Sequence, residues 1–396
     1  DSIGLPIPMH GTARSVEEAF AVAERIGYPI MVRPSYVLGG RAMVIVYDRE
    51  GLERYIRSAV QVAEDTPILI DRFLEDAFEM DVDCVSDGED VRIAAIMEQI
   101  ELAGVHSGDS ACTIPTVMVS DRALATLRDY TRKLARALRT VGCLNVQYAM
   151  KDNVVYVLEA NPRASRTIPY VSKATGVPWV DVACQVISGR KLAELKVPDE
   201  PRLDGYFVKE VVLPFIKFPG EPAMLGPEMR STGEVMGMDE NFGMAFAKAQ
   251  IAAGNSLPTS GTVFLSVNNN DKPGLLPIAV ALSAMGFKLI ATTGTATFLR
   301  KSGLTVKTVL KVSEGRPNGV DYIINGDIDL VINTPLGGRS FDDEHMLRQV
   351  AIAHGVPVLT TLSAAKAATL AISALRGGEL NVKSLQEYWR TGTFSA

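Results

Sequence analysis

The pattern of apolar residues changes near residue 255, and this change constrains the fold more than any other feature of the sequence. Beyond it, short apolar strands alternate with helical stretches. The predicted strands are 263–267, 288–290, 330–333 and 356–360. Strands that are separated by helices form a parallel sheet covered on both faces. We therefore predict an α/β domain with a parallel sheet over residues 255–396.

The sequence before that point is typical of an α+β domain built around an antiparallel sheet. Ser15 and Gly27 bracket an amphipathic helix as start and stop signals. Alternating stretches at 79–85 and 91–97 predict paired strands. Prolines become frequent between 196 and 222, which predicts a connecting region with extended segments. We place the first domain at residues 1–190 and the connecting region at 191–254.

Composition excludes several classes of function. The net charge of −6 provides no broad positive field for nucleic acid, and no apolar run reaches the roughly 18 residues of a membrane helix. We expect neither nucleic acid nor a membrane as a partner. The 4 cysteines form no CxxC pair, which argues against a zinc site and favours a reducing, cytoplasmic compartment. The chain begins without methionine, and we expect it to be a fragment of a longer protein.

A glycine-bearing loop follows the strand predicted at 29–34. It runs from Arg33 to Arg41 and contains the adjacent residues Gly39 and Gly40. Adjacent glycines let the backbone approach a ligand closely and turn N–H groups toward it. We therefore predict that this loop covers the phosphates of a ligand. The alternative is an ordinary turn with solvated arginines. The spacing of a Walker A loop is absent.

Two neighbouring strands, predicted at 144–149 and 154–159 on either side of a turn at 151–153, end in polar residues. Glu159 and Asn161 lie two apart and project to one face, and Gln147 on the other strand can join them. One carboxylate and two amide oxygens suit magnesium. Arg163 and Arg166 follow at once and can neutralise phosphate charge. The alternative is a buried ion-pair cluster at the edge of a sheet.

Small polar residues surround His106 in the stretch 101–110. A single histidine is more often structural than catalytic. We expect this loop to contact phosphate or ribose rather than to supply a general acid or base.

At these motifs the sequence becomes similar to one family. The runs RPSYVLGGRAM, GVHSGDSA, NVQ and EANPRASRTIPYVSKATG together resemble the second, carboxy-terminal half of the carbamoyl phosphate synthetase large subunit. Segments 209–220 and 226–237 resemble it as well. The resemblance implies an N-terminally truncated ATP-grasp domain followed by a Rossmann-like, methylglyoxal-synthase-like domain. It also implies that Mg–ATP phosphorylates carbamate to carbamoyl phosphate, within glutamine-dependent synthesis for pyrimidine and arginine biosynthesis.

The resemblance implies a role for individual residues at the ATP site. Nucleotide contacts are expected at Arg33 (phosphate), Arg72 and Leu74 (adenine, largely through backbone groups), Glu79 (ribose), Gly104, Val105, His106, Ser107, Gln147 and Glu159. The ligands expected for Mg²⁺, or Mn²⁺ in its place, are Gln147, Glu159 and Asn161, with K⁺ as a further candidate ion. Arg166, with Arg163 beside it and Glu159 at the metal, is expected to stabilise the transferring phosphoryl group.

The final domain resembles a regulatory domain that binds UMP or IMP. Its expected effector contacts are Lys272, Thr292, Thr295, Lys311 and Asn333. Pro335 stands where similar pockets carry a threonine. Residues matching an ornithine pocket are Glu101, Asp109, Glu210 and Thr360, but Val358 replaces the aromatic residue expected there.

The resemblance also implies partners. The amino-terminal half of the large subunit and a glutaminase small subunit would supply carbamate and ammonia. Two other hypotheses remain at this point: another ATP-grasp ligase, and a nucleotide-binding regulatory fragment without turnover. The Mg²⁺ set argues against the second of these.

Overall fold

The computed structural model describes residues 3–34, 40–59, 67–215, 225–334 and 341–391. The chain divides into two compact units. The first contains Asp1–Phe207, Leu225–Met229 and Val382–Ala396, and the second contains Val208–Met224 and Arg230–Asn381. No helix among the described residues combines the length and the apolar character that a membrane span requires.

The first unit begins with a small antiparallel sheet. Its strands, in the spatial order β1-β4-β2-β3, are β1 (His10–Ala13), β2 (Ile30–Pro34), β3 (Val44–Val46) and β4 (Ile68–Arg72). Two helices accompany it, α1 (Val16–Ile26) and α2 (Arg49–Ala59). The predicted cap of α1 is confirmed, because the Ser15 hydroxyl accepts a hydrogen bond from the Glu18 N–H at 3.1 Å. Gly27 ends the helix at a φ of 77°.

The larger sheet of this unit positions the candidate site. The strands of this sheet that lie wholly in the first unit, in the order β7-β6-β5-β8-β9, are β5 (Phe78–Asp87), β6 (Val91–Leu102), β7 (Cys112–Ile114), β8 (Val141–Lys151) and β9 (Val154–Asn161). The pairings along this order are antiparallel, as the alternating stretches predict. The remaining helices of the unit are α3 (Asp121–Ala137), α4 (Ile168–Thr175), α5 (Trp179–Ile187), α6 (Leu192–Leu195) and α13 (Leu385–Thr391).

One face of this larger sheet packs into an apolar core. Met80, Val82 and Cys84 alternate along β5 and are fully buried, and they belong to one cluster with Leu127 of α3 and Val146 of β8. Because successive strand residues point to opposite faces, the intervening positions of β5 must lie on the other face. Those positions carry acidic residues.

The second unit opens with two strands and a helix. They are β10 (Tyr206–Val212), which begins at the unit boundary, β11 (Gly233–Asp239) and α7 (Phe242–Ala252). The extended segment predicted before residue 222 is present as β10. Helix α7 lies inside the span predicted as a connecting region, and its sequence is apolar on most sides, so no amphipathic pattern marks it.

The parallel sheet predicted for the final domain is confirmed. Its strands, in the order β14-β13-β12-β15-β16, are β12 (Thr262–Ser266), β13 (Lys288–Thr292), β14 (Val306–Val309), β15 (Leu330–Asn333) and β16 (Val358–Leu359). The helices of this domain are α8 (Lys272–Ala284), α9 (Thr293–Lys301), α10 (Gly319–Ile324), α11 (Phe341–Ala353) and α12 (Leu362–Gly377). Sequence patterns do not identify β14 and α10, because both are short. The predicted domain boundaries at 190 and 254 stay a prediction.

Candidate ATP site and effector site

A row of polar residues crosses three strands on the face of the larger sheet opposite its apolar core. Asp81 of β5 is paired with Gln147 of β8, which is in turn paired with Glu159 of β9. Directly opposed residues of an antiparallel pair point to the same face. The register therefore brings Gln147 and Glu159 together, as expected for two of the predicted metal ligands.

A bulge creates this pairing. Tyr148 is paired with Val157, so Leu158 is the extra residue between it and the Gln147–Glu159 pair. Bulges bend a strand locally and re-aim its side chains. Here the bulge moves Glu159 onto the polar face.

A second row runs parallel to the first. Asp83 is paired with Asn145, and Asn145 is paired with Asn161. Asn145 donates a hydrogen bond from Nδ2 to Asp83 Oδ1 at 2.9 Å. Asn161 is half-buried at the end of β9, and Glu159 is exposed. None of the predicted metal ligands is thus fully buried.

The loop around His106 meets these rows at Gln147. Ser107 accepts a hydrogen bond from Gln147 Nε2 at 2.9 Å. Ser107–Asp109 forms a 3-10 turn, and Nδ1 of His106 accepts from the Gly108 N–H at 3.0 Å. The His106 ring therefore shapes the loop, and the contact role expected for this loop stays a prediction. The structure brings together one predicted nucleotide residue and one predicted metal ligand at this point.

Glu79 and Gly104 adjoin each other on the same side of the first unit. The Gly104 N–H donates to Glu79 Oε1 at 3.4 Å. Gly104 has a φ of 105°, where other residues are strained, and a Cβ there would lie 2.9 Å from the Phe73 ring. Burial first and the nearby Asp81 carboxylate second raise the pKa of Glu79 from 4.5 to about 8, against the lowering effect of the Gly104 N–H.

Glu79→Gln tests this raised pKa. Because the folded-state pKa lies above 4.5, the folded chain binds more protons than the unfolded chain from about pH 4.5 to about 8, and stability falls as the pH rises through that window. We expect the variant to match the wild-type thermal midpoint at the acid end and to exceed it by several degrees above the window. Thermal unfolding by circular dichroism across this range measures the effect. Exposed Glu50→Gln is the control, and a pH-independent difference for Glu79→Gln would contradict the raised pKa.

The predicted adenine and phosphate residues of the small sheet are held by its framework. Arg72 Nη1 donates to the Tyr28 carbonyl at 2.9 Å, and the Arg72 N–H donates to the Met9 carbonyl at 2.7 Å. Arg33 Nε lies 2.8 Å from Asp71 Oδ2. Leu74 is half-buried. Val105 is half-buried beside Gly104.

The glycine loop is described only at its ends. Residues 35–39, which include Gly39, lie outside the described residues. Gly40 has a φ of 69°, and a Cβ there would lie 1.8 Å from the Pro227 carbonyl oxygen. The neighbouring Gly226 carbonyl accepts from the His106 N–H at 2.8 Å. The segment Leu225–Met229 therefore lies against two elements predicted to contact nucleotide.

Arg163 and Arg166 are exposed in the loop that follows β9. Arg163 Nη1 donates to the Ala164 carbonyl at 3.1 Å. The Arg166 guanidinium contacts the Met229 sulfur. Both arginines follow directly from the strand that carries Glu159 and Asn161, as predicted from the sequence.

The donor chemistry at this site fits magnesium. Glu159 supplies a carboxylate, and Gln147 and Asn161 supply amide oxygens, which are the hard donors that Mg²⁺ prefers. Within the described part of the chain, no three His, Cys, Asp or Glu side chains cluster as a metal site. A set with a single carboxylate would not form such a cluster, so these three ligands stay a prediction.

Sequence reasoning missed Asp81 and Asp83. Both are buried, with exposed fractions of 2% and 1%. The run Glu79-Met80-Asp81-Val82-Asp83 alternates polar and apolar residues, and this signal could have placed both carboxylates on the face that carries Gln147.

A pocket in the second unit lies at the carboxyl ends of its parallel strands, where such sheets normally bind ligands. Its lining includes three of the predicted effector residues, Thr292, Lys311 and Asn333. Asn333 Oδ1 accepts from Arg348 Nε at 3.1 Å, and its Nδ2 donates to the Ser266 carbonyl at 3.1 Å. The amide of Asn333 is thus held in place by its neighbours. Sequence reasoning missed Arg348, which follows no strand end.

Of the other two predicted effector residues, Thr295 lies in the first turn of α9, and Lys272 is the first residue of α8. The Thr295 and Thr292 hydroxyls are 3.5 Å apart. Lys272 Nζ lies 3.2 Å from where a Cβ of Gly294 would be, and donates to Asn269 Oδ1 at 2.7 Å. A lysine beside the amino end of a helix is suited to phosphate. Pro335 lies outside the described residues.

The residues that match an ornithine pocket fall in different units. Glu101 and Asp109 lie in the first, and Glu210 and Thr360 in the second. Glu101 Oε2 accepts from the Ser110 hydroxyl at 2.6 Å, and Glu210 accepts from Gln250 Nε2.

Comparison with known proteins identifies the family. Residues 1–195 match the model described as carbamoyl-phosphate synthase L chain, ATP binding domain, and residues 274–360 match the MGS-like domain. The carbamoyl phosphate synthase large chain of Archaeoglobus fulgidus is 54% identical over 98% of this chain. The chain belongs to the carbamoyl phosphate synthase large-chain family. This confirms the resemblance drawn from the motifs.

The relatives are considerably longer than this chain. It spans 36% of the length of the Archaeoglobus fulgidus protein. The large chain of Methanothrix thermoacetophila is 52% identical over 100% of this chain, which spans 37% of that protein.

Solved structures share the fold at low identity. The biotin carboxylase domain of Hydrogenobacter thermophilus 2-oxoglutarate carboxylase, solved with MgADP, has a TM-score of 0.52 and 17% identity, with 63% of this chain and 62% of that chain covered. Biotin carboxylase from Campylobacter jejuni has a TM-score of 0.52 and 16% identity, with 63% of each chain covered. These likenesses confirm the ATP-grasp fold of the first domain and carry no statement about substrate.

Proposed function

We propose that this chain transfers the terminal phosphoryl group of ATP to carbamate. A carbamate oxygen forms a bond to the γ-phosphorus, the bond from that phosphorus to the β–γ bridging oxygen breaks, and carbamoyl phosphate and ADP result. The observation that carries the proposal is the pairing of Gln147 with Glu159 beside Ser107, with Arg163 and Arg166 directly following. This reaction demands positioning and charge neutralisation more than covalent help from the protein.

Some of these residues would bind the metal ion and the nucleotide, and others would stabilise negative charge on the phosphates. Gln147, Glu159 and Asn161 would hold Mg²⁺, or Mn²⁺ in its place, which when bound supplies positive charge to the phosphates. The Arg33 side chain would contact phosphate oxygens. Glu79 accepts hydrogen bonds from the ribose hydroxyls once its carboxyl is ionised. Arg166, with Arg163 beside it, stabilises the negative charge that spreads over the transferring group.

The reverse reaction is the direct test of this function. The longest natural form of the protein is incubated with ADP, Mg²⁺ and carbamoyl phosphate, and ATP is measured with luciferase. ATP formation that depends on carbamoyl phosphate supports the proposal. Its absence, in protein that binds Mg–ADP by calorimetry, would favour a regulatory fragment without turnover.

The complete protein would act with partners. The family membership supports a glutaminase small subunit that supplies ammonia, and an amino-terminal half of the large chain that supplies carbamate. We propose a cytoplasmic role in pyrimidine and arginine biosynthesis. The second domain would regulate the reaction by binding UMP or IMP, in the pocket that contains Lys311 and Asn333.

Lys311→Ala is expected to weaken effector binding about tenfold or more while leaving the unregulated rate nearly unchanged. A hydrogen bond to a charged group contributes about 1.5–3 kcal/mol, and the variant removes such a donor from the pocket. Calorimetric titration with UMP and with IMP measures the affinity. Lys288→Ala is the matched control, because Lys288 is exposed at the opposite end of the same sheet. Unchanged affinity for both nucleotides in Lys311→Ala would contradict the assigned pocket.

A further inference from the structure

Asp83 is a buried carboxylate in the second polar row, and the proposed chemistry gives it no role. Its exposed fraction is 1%. Oδ1 accepts from Asn145 Nδ2 at 2.9 Å. Oδ2 accepts from the Ser165 hydroxyl at 3.0 Å and from the Thr167 hydroxyl at 2.6 Å. Burying a carboxylate costs free energy unless such partners compensate it.

The two hydroxyls stand on either side of Arg166. Both hydroxyls bond the same oxygen of Asp83, and their own oxygens are 2.8 Å apart. The Ser165 hydroxyl also accepts from the Ile168 N–H, the first residue of α4, at 3.1 Å. One oxygen of Asp83 therefore anchors the chain before Arg166, after Arg166 and at the start of the next helix.

The remaining contact of Asp83 fixes its orientation. Asn145 occupies Oδ1 and so directs Oδ2 toward the loop. Asn145 itself is paired with Asn161, a predicted metal ligand. Asp83, which bonds the loop that carries Arg166, and Asn161 thus lie in the same row of paired residues across the sheet.

We propose that Asp83 is a positioning residue that holds the backbone of Arg166 in place beside the predicted metal ligands. The Arg166 side chain is long and exposed, so the point from which it reaches is set by its backbone. The catalytic consequence of this anchor rests on the proposed function, because it matters only if Arg166 stabilises a transferring phosphoryl group. A displacement of about 1 Å can reduce a rate by about a hundredfold.

Thr167→Val removes one anchor without changing the shape of the side chain. Thr167 makes no side-chain capping bond to α4, so the substitution does not uncap the helix. Thr167→Ser keeps the hydroxyl and is the rescue variant. Thr131→Val is the matched control, because Thr131 is also buried, lies in α3 against the apolar face of the sheet, and has its hydroxyl 2.7 Å from the Tyr148 hydroxyl.

Amide hydrogen exchange and kinetics together decide the proposal. We expect exchange over residues 164–168 to rise at least about tenfold in Thr167→Val and Asp83→Asn, and to stay at the wild-type rate in Thr167→Ser and Thr131→Val. In the reverse reaction, kcat should fall about tenfold to a hundredfold in the first pair while the KM for ADP changes less than about twofold.

Two results would overturn the inference. If amide exchange at 164–168 stays at the wild-type rate in both Thr167→Val and Asp83→Asn, Asp83 does not anchor the loop. If Thr131→Val loses as much kcat as these variants, the loss reflects general stability rather than the position of Arg166. If the wild-type protein forms no ATP from carbamoyl phosphate, the proposed function fails. The exchange measurement still decides whether Asp83 anchors the loop.

Discussion

Glu159→Gln is expected to reduce kcat for ATP formation from ADP and carbamoyl phosphate about a thousandfold. Removing one preorganised group that stabilises transition-state charge costs about a hundredfold to a thousandfold. The reduction in kcat for Glu159→Gln should lie at the upper end of this range, because Glu159 is the only carboxylate of the predicted metal set. Glutamine keeps the length and shape of the side chain but removes the negative charge and one of the two oxygen donors.

The design separates loss of chemistry from loss of folding. Glu159 is exposed, so its substitution should change the free energy of unfolding by less than about 0.5 kcal/mol. Glu50→Gln makes the same chemical change at another exposed site of the same unit, where the Arg54 guanidinium is 4.0 Å away. Rates measured over a range of Mg²⁺ and Mn²⁺ concentrations should show a higher metal requirement in Glu159→Gln alone. Full activity in Glu159→Gln at limiting metal would exclude the predicted metal set.

The hairpin that carries this site illustrates what sequence patterns can and cannot predict. The sequence predicts a turn at 151–153, and Asp152 and Asn153 both have positive φ, as a two-residue hairpin turn requires. A regular register from this turn, in which Lys151 pairs with Val154, would place Gln147 opposite Leu158. The bulge at Leu158 corrects this by one residue and brings Glu159 to Gln147. No pattern in the sequence marks that bulge, and the convergence of the two side chains depends on it.

Contacts between distant parts of the chain also lie beyond sequence patterns. The alternation along β5 reveals which residues share the polar face, but it does not reveal that Asp83 bonds Thr167, which lies 84 positions later. The pairing of Gly226 with His106 is of the same kind. Periodicity predicts elements and faces, because it depends on local geometry. The partners of a buried polar group depend on the whole fold.

Arg166→Met is expected to reduce kcat about a hundredfold to a thousandfold while the KM for ADP stays within about twofold of wild type. A contact made only in the transition state lowers kcat without weakening the ground-state complex. Methionine keeps most of the apolar stem and removes the guanidinium, so the nearby Met229 retains a packing partner. The reverse reaction, measured over a range of ADP concentrations, separates the two constants.

Two further variants interpret this result. Arg166→Lys keeps the charge and loses the planar fork that matches two phosphate oxygens, so its kcat should lie between those of wild type and Arg166→Met. Arg190→Met is the control, because Arg190 is an exposed arginine of the same unit that pairs with Glu194 at 3.8 Å. If Arg166→Met instead raised the KM for ADP and spared kcat, Arg166 would hold the nucleotide in its ground state. The loop anchored by Asp83 would then serve binding rather than phosphoryl transfer.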